Sequence, residues 1–78
     1  MLAQQRAQFT TQKIRRGGLP EPTDVRAREV TAGTGLLCDG CSETIHPNEN
    51  LHRVHVRGFV ELRLHGECYS AYVAFKAR

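Results

Sequence analysis

The spacing of apolar positions changes character along the chain, and each change marks an element. Ala3, Ala7, Thr10 and Ile14 recur at helical spacing with Leu2 and Phe9 beside them, which predicts a helix over residues 1–16. Thr10-Thr11 weaken its middle, and Gly17-Gly18 end it, with Arg15 and Arg16 favourably placed near its carbonyl end. The prolines of Leu19-Pro20-Glu21-Pro22-Thr23-Asp24 hold their predecessors out of helical geometry, so this segment reads as an extended linker. Val25 to Thr31 reads as a strand. From Leu51 the period is two: His52, Val54 and Val56 alternate with Leu51, Arg53, His55 and Arg57. Beyond Gly58, Val60, Leu62 and Leu64 alternate with Phe59, Glu61 and Arg63. The two apolar sets share a face only if the connecting loop has an odd length. The simplest solution is Arg57-Gly58-Phe59, with Gly58 taking the unusual backbone angles. That register sets Val56 opposite Val60, Val54 opposite Leu62, His55 opposite Glu61, and Arg53 opposite Arg63. From Gly66 to Arg78 the period returns to helical, with Cys68, Tyr72 and Phe75 as the inward stripe.

These elements supply little core. The chain has 78 residues, no Trp, three Phe and two Tyr, which makes one small domain of marginal apolar burial that needs a staple. No stretch approaches the length of a membrane span, and the start lacks the apolar core of a secretory signal, so a cytoplasmic location is expected.

Three cysteines cannot pair off internally, and their spacing points elsewhere than to disulfides. Cys38-Asp39-Gly40-Cys41 and His65-Gly66-Glu67-Cys68 are two short pairs separated by 23 residues, enough for a hairpin. Each tight pair presents two ligands from one side, and the insert brings the second pair round to face the first. This is what a tetrahedral zinc ion needs. A redox role for the first pair is disfavoured, because turn residues follow it where a redox motif opens a helix. His46, His52 and His55 are also candidates for the fourth ligand, but His65 alone shares a turn with a cysteine. The expected set is Cys38, Cys41, His65 and Cys68. Gly33-Thr34-Gly35 lacks the following Lys-Ser/Thr and helix of a phosphate loop.

Knuckle, hairpin, then a helix whose first turn completes the metal site: from Cys38 to about Ala77 this order resembles the treble-clef zinc fold. The Cys38-x2-Cys41 and His65-x2-Cys68-Tyr69 pattern is also similar to the first half of a LIM domain. Here, however, the chain continues as an amphipathic helix rather than a second C-x2-C. Closer still is the resemblance to a group of short, uncharacterised bacterial zinc-binding proteins. These share a basic N-terminal stretch, a Gly-Thr-Gly lead-in, C-x2-C, a hairpin and an ending like Leu64-His65-Gly66-Glu67-Cys68-Tyr69-Ser70-Ala71-Tyr72. Ser42 departs from the pattern, standing where zinc knuckles usually carry Gly. The resemblance implies a small α+β zinc-stabilised domain over residues 38–78, preceded by a basic helix and linker arm over residues 1–37.

Four protein ligands leave no position for water, so one structural zinc and no enzyme activity are expected. Some treble-clef relatives cut nucleic acid with a histidine on the hairpin and a further ligand on the helix. The resemblance would give His55 that place with Asn48 and Asn50 nearby, but the expected metal ligands take the helix start here. The net charge of +3 lies entirely in residues 1–37, because positive and negative residues cancel from Cys38 onward. Zinc with three thiolates would carry −1. Two functions follow. A protein-interaction or regulatory module, its first helix packing on a partner or on its own domain, is preferred. The alternative is nucleic-acid binding through Arg15, Arg16, Arg53, Arg57 and Arg63. No membrane and no small-molecule substrate are expected.

Overall fold

The computed structural model describes residues 2–22, 25–26, 28–56, 58 and 60–75. Helix α1 (Ala3–Arg15) is followed by strands β1 (Arg28–Ala32), β2 (Asn50–Val56) and β3 (Val60–Leu64), and by helix α2 (Gly66–Ala74). The strands form one antiparallel sheet in the order β1-β2-β3, and α1 packs on α2.

The hairpin has the predicted register, with Val56 opposite Val60, Val54 opposite Leu62, His55 opposite Glu61 and Arg53 opposite Arg63. Gly58 has φ +96°, the left-handed geometry that a residue without Cβ tolerates. Arg57 and Phe59, the other expected loop residues, lie outside the described set. Val54, Val56, Leu62 and Leu64 are buried together with Ile45 and Tyr72. Leu51, on the opposite phase of the alternation, is buried as well, so the outer face is apolar at its start and polar from Arg53 onward. His52 covers one end of the core, stacked on Tyr69 with ring centroids 5.3 Å apart.

The strand expected over Val25 to Thr31 is displaced toward the C-terminus. The Arg26 N–H reaches the His55 carbonyl at 3.0 Å, one residue out of the register that sets Arg28 opposite Val54. Regular pairing therefore begins at Arg28. The far edge of β3 is closed by the knuckle: the Asp39 N–H donates to the Arg63 carbonyl at 2.8 Å, and the Arg63 N–H to Asp39 Oδ2 at 2.7 Å.

Helix α1 ends as a Schellman motif. Gly17, at φ +79°, donates to the Ile14 carbonyl and Gly18 to that of Lys13. At its start the Gln5 side chain accepts the Leu2 N–H at 3.1 Å, half of a capping box that Leu2 cannot reciprocate. The linker that follows is anchored: Leu19 is buried, and the Tyr72 hydroxyl donates to the Pro20 carbonyl at 2.8 Å. Helix α2 stops at Ala74, short of the expected Arg78. Phe75 is already extended, packs against the core, and donates its N–H to Tyr72 across a tightened last turn. Lys76 and Arg78 lie outside the described residues. No helix of the described residues is long and apolar enough to cross a membrane.

Candidate metal centre

A small turn presents the first pair of cysteines. Leu37 bridges Thr44, the Cys38 N–H donates to the Glu43 carbonyl at 2.8 Å, and the Ser42 N–H to the Cys38 carbonyl at 2.9 Å. The Gly40 N–H lies 3.3 Å from Cys38 Sγ and donates to it. Ser42 occupies φ +66°, so the position that usually carries Gly does need left-handed geometry, here supplied by a residue with a Cβ. The second pair comes from the sheet-to-helix junction. His65 is the N-cap of α2, with φ −63° and ψ 160°, and Cys68 sits in the first turn. Hairpin pairing carries the chain from one pair back to the other.

The four donor atoms of Cys38, Cys41, His65 and Cys68 lie within 4.8 Å of one another, and all four residues are buried. Tetrahedral zinc with bonds of about 2.3 Å to sulfur and about 2.0 Å to nitrogen spaces its donors roughly 3.5–3.8 Å apart, so the cluster fits one such ion. Orientation supports the fit. His65 Nδ1 faces inward, 3.3 Å from Cys41 Sγ, while Nε2 is 3.2 Å from the Thr44 carbonyl and 3.5 Å from Glu49 Oε1. Outer partners of this kind fix a ligating imidazole's tautomer and its aim.

The sulfurs compete for protons. A hydrogen bond from Cys68, aided by backbone N–H groups, brings Cys38 down to about 4. That same pairing and burial push Cys68 up, and burial pushes Cys41 up. Three thiolates at this distance do not ionise side by side unless a cation lies among them, and a divalent ion reverses the balance.

Three of the four histidines lie outside the cluster. His46 and His55 are exposed, and His52 stacks on Tyr69. The arginines proposed for nucleic acid fall on separate elements. Arg15 and Arg16 are exposed at the end of α1, which packs on α2 and not on the strands. Arg53 and Arg63 face each other across the hairpin, and Arg57 is outside the described residues. Arg53 is engaged: its Nε and Nη2 lie 2.8 Å from Glu61 Oε1, and its Nη1 lies 3.4 Å from Glu29. Glu61 stands opposite His55 in the register and takes its hydrogen bond from Arg53.

The surroundings of the cluster were not legible from spacing. Arg6 crosses from α1 to three carboxylates: Glu67 at 2.6 Å, Glu49 at 3.1 Å and Glu43 at 3.4 Å. These contacts raise the Arg6 pKa further, chiefly through Glu67. Lys13 Nζ donates to the Asp39 carbonyl at 2.8 Å. Thr10 is fully buried against Gly40 and Cys68. Its one sequence signal was a hydroxyl residue on an otherwise apolar stripe. No protein-family model, curated protein or solved structure matches the chain.

Proposed function

We propose that the chain binds one zinc ion through Cys38, Cys41, His65 and Cys68, that the ion is structural, and that the domain it stabilises is a treble-clef-like protein-interaction or regulatory module. The observation that carries this is the convergence of four buried donor residues, enough to fill a tetrahedral zinc shell and so leave no position for a reacting water. Knuckle, hairpin and helix also follow one another in the treble-clef order. For the interaction role, Leu36 and Leu37 are adjacent, 48% and 61% exposed, on the segment that leads into the knuckle. The basic arm is partly committed internally, since Arg6 and Lys13 both make contacts within the domain. This weighs against a backbone-tracking role.

Metal analysis of the purified chain tests the first part: one zinc per chain and, after cobalt substitution, a tetrahedral sulfur-rich spectrum are expected. A folded, metal-free chain would overturn it. Titration with DNA and RNA at two salt concentrations tests the second. No binding at low salt is expected, and steep salt-dependent binding would replace the interaction reading with the nucleic-acid one.

A further inference from the structure

The metal centre has a wall that the ligand spacing does not announce. The Cys68 sulfur lies against the middle of α1, 3.8 Å from the Arg6 carbonyl, and the Thr10 side chain and the Cys68 Cβ border Gly40 together. Thr10 has no exposed surface, and a Cβ on Gly40 would collide with its hydroxyl, so helix and knuckle meet in close contact there. The hydroxyl also donates to the Arg6 carbonyl at 2.9 Å. A metal-bound sulfur has no proton to give, so it cannot keep the Arg6 carbonyl as a partner. Turning the Thr10 O–H away from that carbonyl frees its proton for the neighbouring sulfur.

We propose that Thr10 is a positioning residue of the metal centre: its hydroxyl donates a hydrogen bond to the coordinated Cys68 sulfur, so α1 governs how long the ion is held. This rests on the zinc reading above and adds an element from the N-terminal arm to the site. The neighbouring Thr11 provides a matched control. Its hydroxyl makes the same kind of bond, to the Ala7 carbonyl at 3.1 Å, away from the sulfurs.

The experiment follows transfer of zinc from the full-length chain to a chromogenic chelator. Thr10→Val keeps the shape and removes the hydroxyl; about tenfold faster release is expected, as for other outer partners of metal ligands. Thr10→Ser keeps the hydroxyl and loses a methyl group, and should release within about twofold of wild type. Thr11→Val should release at the wild-type rate. A Thr10→Val rate equal to wild type, or a Thr10→Ser rate as fast as Thr10→Val, would overturn the proposal; the second result would indicate packing alone. Because Thr10→Val could also disturb folding, the wild-type chain loaded with cadmium-113 gives a test without substitution. A slowly exchanging Thr10 hydroxyl proton coupled to the metal is expected, and its absence counts against the proposal. A wild-type chain that takes up no zinc defeats the zinc reading instead, which separates the two failures.

Discussion

The β2–β3 hairpin and helix α1 are fixed to the same core by opposite means. The hairpin is held by its own alternation: Val54, Val56, Leu62 and Leu64 are all buried, and a one-residue slip would turn every one of them to solvent. Helix α1 buries only Thr10 and Ile14, while Leu2 and Phe9 are exposed. It is held by polar contacts at particular points, namely Arg6 on three carboxylates, Lys13 on the Asp39 carbonyl, and Thr10 against Gly40. One element carries its position in its own sequence. The other borrows its position from the shape and charge of the surface it lands on.

Metal removal is the harshest test of this contrast, because both elements lean on the knuckle. Structural zinc is worth roughly 10–16 kcal/mol apparent at neutral pH, comparable with the whole stability of a small domain. A strong chelator should therefore unfold the part from Cys38 onward, hairpin included, and α1 should lose its docking surface with it. Far-UV circular dichroism reads both. A spectrum unchanged by the chelator would refute the structural role of the metal and leave the hairpin independent of it.

Gly40→Ala separates the two modes of attachment. The added Cβ would collide with the Thr10 hydroxyl and sit 3.2 Å from both the Thr10 and Cys68 Cβ atoms, while Gly40 has no left-handed φ to preserve. Overpacking of this kind costs about 1–3 kcal/mol. The loss should appear as weakened α1 docking, read as faster amide exchange in α1 than in β2 and β3. Adding Thr10→Ala should recover part of it, since residues in contact are not additive. Equal losses in hairpin and helix would break the distinction.

The same contrast explains what the sequence disclosed. The convergence of Cys38, Cys41, His65 and Cys68 and the hairpin register were legible because each is encoded by local spacing, C-x2-C with H-x2-C and a period of two. The docking of α1 was not, because Arg6 finds Glu43, Glu49 and Glu67 across long sequence separations, and no periodicity connects them. The end of α2 was misplaced for a similar reason. Phe75 continues the apolar stripe on paper, yet it reaches the core by leaving the helix. The shift of β1 turns on a break in pairing between Arg26 and Arg28 that strand propensity does not register.

Arg6→Gln probes the electrostatic share of α1's attachment. Glu49 is held below its ordinary value of 4.5 by the His46 N–H and, against some burial, by Arg6. In Glu67 burial opposes ionisation, but Arg6 and the helix N–H outweigh it, so that carboxyl too is lowered. A depressed folded-state value means that the stabilisation is complete above about pH 4.5 and is lost as pH falls through the lower folded values. The penalty of Arg6→Gln, about 1–2 kcal/mol for three partly exposed pairs, should thus be constant from pH 6 to 8 and shrink with added salt. Denaturant titrations at fixed free zinc measure it. A penalty that varies between pH 6 and 8 would show that other groups than these carboxylates answer to Arg6.

Ser42 lies where the two regions meet, beside Cys41 of the buried cluster and beside Glu43, which Arg6 reaches. Its φ of +66° costs a residue with a Cβ about 1–2 kcal/mol, and Gly would lose about 0.5–1 kcal/mol of that advantage to greater freedom in the unfolded chain. Ser42→Gly should therefore stabilise the zinc-bound protein by about 0.5–1 kcal/mol. The gain is conformational and involves no contact with α1, so it should be the same in an Arg6→Gln background, within about 0.3–0.5 kcal/mol. A gain that disappears when Arg6 is replaced would mean that the knuckle's backbone and the helix's charge contacts are one cooperative unit, and that the division between self-placed and borrowed elements does not extend to the metal turn.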